Sequence, residues 1–397
     1  MGRSFGHNTA MNTVKPAPLP TRLRAANGAV VQDVADIGAA AILDAMRADS
    51  GRFEITGGMV IDQDARTILT QTSGSTGAPK IIRRTHASWT ASFAQNARLF
   101  QIGAGTRVVI AGGMAHSLTT YALCETLALG GVAVMLGDRM SRDRLSALNG
   151  ASVLYATPTF LRLIAAMAPP LPDLRHVVTG GGILTGGERG ALAAIAPEAQ
   201  VHEFFGAAET SFVTLSTPDT PTGSVGRAYP AVRITIADGH TPLPTGQIGA
   251  IWVDGPYLFD GYDSGGDGQT QHGPMGVSIG EMGHLDADGF LYLAGRAARM
   301  VTVGDVNVFP ERVEGALRSI SGVTDAAVVA VPDRLRAHRL IAWVEGAGDP
   351  DVVRDALRDA LPPAFVPARI HVIDALPRLP AGKADLQTLT AMARGDV

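Results

Sequence analysis

The chain is poor in cysteine, in charge and in aromatic side chains. A single cysteine, Cys124, in 397 residues excludes an internal disulfide framework and a cysteine-rich metal centre, and fits a reducing compartment. It lies in Tyr121-Ala-Leu-Cys-Glu-Thr-Leu127, where a buried core thiol is the natural reading and a nucleophile is not. Charged residues make up only 18% of the chain and the net charge is −4, with Lys and Arg scattered, so nucleic-acid binding lacks its electrostatic footprint. Between Val108 and Leu136 the one charged side chain is Glu125, yet Gly112, Gly113, Gly130, Gly131 and His116 break the run too often for a membrane span. A buried helix between two buried strands of an α/β sheet accounts for it. The first 25 residues carry basic and no acidic side chains and no apolar segment. They are no secretory signal, and Gly6 breaks the myristoylation pattern. A flexible cytoplasmic tail is the expectation, with a transit peptide as the other reading.

What is present is enough for two or three domains, since 46% of the residues are apolar. Thr67–Thr72, Arg107–Ala111, Val132–Leu136, Ser152–Tyr155, His176–Thr179 and Val201–Phe205 read as strands, with helical patterns near 86–100, 117–129, 141–148, 158–168 and 185–196. This alternation predicts a doubly wound, mostly parallel α/β sheet. After Thr217 come Gly/Pro-punctuated strands such as Arg233–Ile236, Ile248–Val253 and Phe290–Leu293, a small antiparallel or barrel-like β subdomain. From Arg299 a third texture predicts an α+β domain, with helices at 310–319 and 350–361 and strands near 323–331 and 339–345. The expected division is a tail over 1–25, an ATP-binding core over 26–216, the β subdomain over 217–298 and a mobile C-terminal lid over 299–397.

One loop stands out, Gln71-Thr-Ser-Gly-Ser-Thr-Gly-Ala-Pro-Lys80, between a strand-like run and a helix-like run. Gly74 and Gly77 let the backbone approach an anion, Ser73, Ser75 and Thr76 add hydroxyl donors, and Lys80 adds charge. It is not a Walker A loop, because Gly77 is followed by Ala-Pro-Lys-Ile and Pro79 opposes a helical start. An ordinary polar turn is the alternative for the loop taken alone.

Other segments change that balance. Thr72–Lys80, Phe204-Phe-Gly-Ala-Ala-Glu-Thr210, Glu281-Met-Gly-His-Leu-Asp-Ala-Asp-Gly-Phe-Leu-Tyr-Leu-Ala-Gly-Arg296, Gly304-Asp-Val-Asn-Val-Phe-Pro-Glu-Arg-Val-Glu314, Leu361–Pro367 and Leu379-Pro-Ala-Gly-Lys383 occur in this order. Together they resemble the adenylate-forming superfamily of acyl- and aryl-CoA synthetases, peptide-synthetase adenylation domains and luciferase, over residues 65 to 390. The resemblance implies ATP-dependent activation of a carboxylic acid to an acyl-adenylate with pyrophosphate release. Transfer to a thiol, that of CoA or of a carrier-protein phosphopantetheine, would follow.

Carried over residue by residue, Thr72, Ser73, Gly74, Ser75, Thr76, Gly77 and Lys80 would hold the ATP phosphates. Phe204, Phe205, Gly206, Ala207 and Gly181 would take the nucleotide, with Phe205 on adenine, and Glu281 and Arg296 would lie at the ribose. Glu209 would bind Mg²⁺, which prefers hard oxygen ligands. Lys383 would reach the reacting carboxylate and α-phosphate, and Gly304 would line the thiol path. Gly112–Thr119 and Lys80–His86 look closest to aryl-acid adenylating enzymes. His116, Ser117, Gly180 and Gly182 would then form a neutral acid pocket for an aryl or short acyl group, although His116 also reads as a core histidine. Ser117 disfavours an α-amino acid substrate.

The pattern departs from the family at Ala208, Ala250, Ala298, Arg299 and Asp385, and in the short stretch before the phosphate loop. A homodimer or other partner covering a shortened N-terminal region is the corresponding expectation. Amide formation after adenylation, and a non-catalytic nucleotide or acyl binder, remain as alternatives.

Overall fold

The computed structural model describes residues 23–24, 30–33, 52–56, 58–62, 67–72, 80–113, 116–137, 142–266, 268–346, 349–378 and 384–395. Its largest sheet has nine strands in the order 23–24, 30–33, 132–137, 107–111, 153–155, 176–180, 200–207, 211–215, 227–228. Neighbours from 30–33 to 200–207 are all parallel. Their apolar side chains divide between two faces. Val108 and Ile110 join Trp89, Phe93, Leu123 and Leu127 of helices His86–Leu99 and Ser117–Ala128, while Val109 and Ala111 join Leu161, Ile164 and Leu192 of helices Pro158–Met167 and Gly186–Ile195. Burial on both faces is why these strands read as continuous apolar runs rather than alternating ones. The helix expected over 141–148 is a short helix, Arg142–Leu145, continued by a 3-10 turn, Ser146–Leu148.

Three expectations need correction. Thr67–Thr72 is not part of the parallel sheet but of a separate five-stranded one, in the order 261–264, 80–85, 67–72, 52–56, 58–62. The residues after the Ser/Gly loop do not run straight into a helix, because Lys80–Thr85 forms a strand paired with Thr67–Thr72 from Thr67↔Thr85 to Thr72↔Lys80. Ile81 and Ile82 favour that extended backbone, and the helix starts only where Thr85 caps it, its Oγ1 accepting from the Ser88 N–H at 3.2 Å. Within the segment expected to be a tail, Leu23–Arg24 forms an antiparallel pair with Val30–Val31.

Residues 233–296 supply the expected antiparallel unit, a seven-stranded sheet, but Gly261–Ser264 leaves it to pair with the 80–85 strand. The C-terminal sheet runs 306–308, 301–303, 337–345, 325–333, with 369–373 parallel beside 337–345. Helices Pro310–Arg318, Pro350–Ala360 and Leu386–Gly395 accompany it. None of the helices among the described residues is long and apolar enough to cross a membrane.

Glu125 is fully buried in the 117–128 helix. It survives there because three donors converge on it: Asn96 Nδ2 at 2.7 Å, Tyr121 OH at 2.9 Å and Tyr155 OH at 2.5 Å. Tyr229 OH donates to Asn96 Oδ1 at 2.6 Å, so the network joins both helices to the sheet. Burial nevertheless pushes the Glu125 carboxyl up to about 7, with the Tyr155, Asn96 and Tyr121 bonds pulling the other way. Beside it, burial pushes the Cys124 thiol up to about 12, which agrees with an inert core cysteine.

A carboxyl raised in the folded state holds its proton longer than in the unfolded chain. Its stabilisation is therefore present below the unfolded value of 4.5 and lost as pH rises through about 7. Glu125→Gln cannot ionise. The melting temperature of the variant minus that of the wild type should increase between about pH 5 and pH 8 in scanning calorimetry. A difference that stays constant would mean that Glu125 does not titrate in this window.

Candidate active site

Side chains of the 80–85 strand alternate, so Lys80, Ile82 and Arg84 share one face and are 7%, 0% and 1% exposed. Two cations on a buried face demand partners. Arg84 donates through Nη1 to Ser211 Oγ at 2.7 Å and through Nη2 to the Tyr257 carbonyl at 2.6 Å, and its guanidinium lies over the Trp89 ring. Burial draws its pKa down to about 10 against the opposing field of the Glu209 carboxylate. The Lys80 ammonium lies 5.6 Å from the centroid of the Tyr262 ring.

Glu209 is the acid of this cluster and is itself buried. Its Oε1 accepts from Tyr262 OH at 2.9 Å, and its backbone carbonyl accepts from the Phe259 N–H at 2.9 Å. The turn that presents it is tight: Ser211 adopts φ 56°, and a Cβ at Gly206 would sit 1.9 Å from the Ser211 carbonyl oxygen. Only glycine fits there. Arg84 holds both segments flanking Glu209, through Ser211 and Tyr257. Among the described residues no group of three or more His, Cys, Asp or Glu side chains could hold a metal. One buried carboxylate suits Mg²⁺, which takes few protein ligands and completes its shell with phosphate oxygens and water, and does not suit a protein-caged zinc.

The remaining groups gather at the carboxyl ends of the parallel strands. From 107–111 the chain crosses to 132–137 on one side and then to 153–155 on the other, making this the switch point at which open α/β sheets bind ligands. His116 and Ser117 open the helix that follows 107–111. His116 is exposed and makes no capping bond, so the core-histidine reading does not hold. Gly180 packs against Phe204, where a Cβ would come within 2.4 Å of the ring, and Gly182 lies against Pro158. Gly181 has φ 80°. Phe204 and Phe205 are half-buried on opposite faces. Phe204 packs with Phe212, and Phe205 packs against the cluster of Ile236 and Val253. Gly206 and Ala207 are half-buried next to them.

Glu281 and Arg296 face each other across paired strands and form an ion pair of 2.9 Å, Arg296 being 44% exposed and Glu281 13%. Gly304, at φ 65°, turns the 301–308 hairpin and donates its N–H to the Arg336 carbonyl at 2.8 Å. Thr72 pairs directly with Lys80. Ser73, Gly74, Ser75, Thr76, Gly77 and Lys383 lie outside the described residues.

Sequence reasoning missed Arg84, Ser211 and Tyr262. Strand alternation from Lys80 points to Arg84, had the strand been recognised. Tyr262 is 53 residues from Glu209 and has no local signal.

Comparison with known proteins adds the following. The family described as AMP-binding enzyme matches residues 14–263, and that described as AMP-binding enzyme C-terminal domain matches 312–383. An uncharacterized acyl–CoA ligase of Bacillus subtilis is 31% identical over 81% of this chain and 68% of its own length. The p-hydroxybenzoic acid–AMP ligase of Mycobacterium tuberculosis is 31% identical over 86% of this chain, which spans 50% of that protein. Among solved structures, o-succinylbenzoate CoA synthetase of Bacillus subtilis with its acyl-adenylate superposes with a TM-score of 0.72 at 25% identity, over 87% of this chain and 73% of that one.

Arg84→Met preserves length while removing both hydrogen bonds. It leaves the Tyr257 carbonyl and Ser211 hydroxyl without their donor, and should lower the unfolding free energy by about 1–3 kcal/mol in urea titration. An unchanged urea midpoint would show that Arg84 does not fix the Glu209 turn.

Proposed function

The chain belongs to the AMP-binding enzyme family, and on that premise we propose that it condenses a carboxylic acid with ATP to an acyl-adenylate and pyrophosphate, then passes the acyl group to a thiol. The observation that carries this is the meeting of Lys80 and Glu209 at Tyr262, beside the hairpin whose connecting residues are the Ser/Gly loop 73–79.

Two anions must be brought together, so the reaction needs positive groups placed where charge accumulates. Lys80, held by the strand against Tyr262, meets the phosphates at the hairpin. Glu209 would hold the magnesium ion, which would supply neutralisation of phosphate charge. Glu281 and Arg296, already paired, receive the ribose. Lys383 in the C-terminal lid brings a further positive charge to the attacking carboxylate. The acid lies at the switch point, against His116, Ser117 and the 180–182 turn. Ser117 stands where amino-acid-activating domains place an aspartate for the α-amino group, which disfavours an α-amino acid, and the p-hydroxybenzoic acid and o-succinylbenzoate relatives support an aryl acid as substrate, with a short acyl acid next. CoA or a carrier-protein phosphopantetheine is the acceptor, entering by Gly304. A buried, protonated Cys124 fits a cytoplasmic setting.

Carboxylate-dependent pyrophosphate exchange over a panel of benzoates, hydroxybenzoates and aliphatic acids tests the reading, with product mass spectrometry in the presence of CoA, carrier protein or amines separating the acceptors. Lys383→Ala should cut exchange by about two to three decades while ATP binding persists, because a charge engaged mainly in the transition state changes turnover more than ground-state affinity. Exchange at the wild-type rate in folded Lys383→Ala would remove that lysine from the reaction. Ser117→Asn should change the ratio of kcat/KM values among benzoates that differ in ring hydroxyls more than it changes values for aliphatic acids. Activation of aliphatic acids alone would refute the aryl assignment and leave the adenylating step intact.

A further inference from the structure

The Tyr262 side chain touches both Lys80 and Glu209 at the phosphate hairpin. It lies on the strand 261–264, which leaves its own sheet to pair with 80–85, so Tyr262 is placed opposite Ile82, between Lys80 and Arg84. Its hydroxyl is 2.9 Å from Glu209 Oε1 and 2.8 Å from Thr270 Oγ1. An ionised carboxylate only accepts, and a phenol has one proton. Tyr262 therefore donates to Glu209 and accepts from Thr270, a directed relay from Thr270 through Tyr262 to Glu209. The ring itself faces the Lys80 ammonium and is held edge-on by Phe259, at 5.2 Å and 76°. Phe259 in turn donates its backbone N–H to the Glu209 carbonyl.

We infer that Tyr262 is the positioning residue of the magnesium site: its hydroxyl fixes the rotamer of the Glu209 carboxylate, leaving Oε2 for the ion, and its ring sets Lys80 for the phosphates. The inference rests on the reading of Glu209 as the magnesium-binding carboxylate. A glutamate carboxylate on three rotatable bonds loses rotamer freedom when it takes a metal, and the Tyr262 bond removes part of that loss in advance. The two halves of the side chain have separable effects. The hydroxyl acts on the metal, and the ring acts on the phosphates whether or not metal is present.

Calorimetric titration of ATP into the full-length protein, with saturating Mg²⁺ and again with EDTA, separates them. Tyr262→Phe keeps the ring. It should weaken ATP binding about tenfold in Mg²⁺, the loss of one hydrogen bond to a charged group, and leave binding in EDTA at the wild-type value. Thr270→Val, which removes the donor to the phenol, should shift the same titration in the same direction by less. Tyr262→Ala should weaken binding in both conditions. Melting temperatures within a few degrees of wild type identify the folded variants, and Thr270→Val carries the test if a Tyr262 variant fails to fold. Glu209→Gln is the reference. If Glu209→Gln weakens binding in Mg²⁺ while Tyr262→Phe and Thr270→Val do not, Tyr262 does not position the carboxylate. If Glu209→Gln also binds as wild type does, the metal reading of Glu209 falls and the role of Tyr262 falls with it.

Discussion

Two cations on the buried face of one strand set the terms for everything around them. Lys80 and Arg84 are separated by one inward residue, Ile82, and all three are almost wholly removed from water. An unpaired buried charge costs several kcal/mol, so the surrounding chain has to supply negative charge, dipoles or π-density at fixed positions. It does so from three distant segments. The 207–211 turn brings Glu209 and the Ser211 hydroxyl, the 257–259 segment brings the Tyr257 carbonyl, and the 261–264 strand brings the Tyr262 ring. The unusual backbone of Ser211 and the absolute need for glycine at 206 are consequences of that convergence. So is the departure of 261–264 from its own sheet. The interactions that make the buried strand tolerable are thus the same ones that fix Glu209, Ser211 and Tyr262 around it.

The use of lysine reinforces this. Of 33 basic residues only three are lysines, at 15, 80 and 383, so arginine is the default cation of the chain. Two of those three fall at motif positions. Arginine is a planar fork suited to fixed bidentate pairing, as at Arg84 and Arg299, whereas an ammonium is a compact charge with three rotatable donors. Retaining lysine at 80 and 383 against that compositional trend fits groups that must follow a moving or changing anion rather than hold a fixed one.

The parallel sheet was legible because its strands are short apolar runs set at regular intervals between helical patterns, and both signals are local. His116, Ser117, Gly180 and Gly206 were singled out through the family resemblance, and the structure puts them at or just beyond the carboxyl ends of strands 107–111, 176–180 and 200–207. The strand at 80–85 was not. Its sequence, Lys-Ile-Ile-Arg-Arg-Thr, leads into a helix and carries three cations, which hides the alternation of Lys80, Ile82 and Arg84. Missing that strand hid the second sheet, and with it the place where Tyr262 pairs. Non-local pairing of this kind leaves no mark in composition or period. The Glu281–Arg296 contact is the opposite case, since two motif residues read separately proved to be cross-strand neighbours.

The same contrast governs the join to the C-terminal unit. Ala298 and Arg299 are among the positions where the chain departs from the pattern it resembles. Arg299 is bound to Glu311 at 3.2 Å, to Glu314 at 2.7 Å and to the Val328 carbonyl at 2.8 Å. Helix 310–318 and strand 325–333 therefore hold the 297–299 turn as part of their own unit. Just before it, Gly295 at φ 143° admits no side chain, because a Cβ would meet Glu311 Oε2 at 2.7 Å and Phe309 at 3.0 Å. A change in orientation between the C-terminal unit and the rest cannot be absorbed at Arg299 without breaking three hydrogen-bonded or ionic contacts. Rotation about the backbone at Gly295 and Arg296 breaks none of them. Any such rotation acts directly on the Arg296–Glu281 ion pair and on the bond from the Ala297 N–H to the Gly280 carbonyl at 2.9 Å, which tie the same turn to the antiparallel sheet.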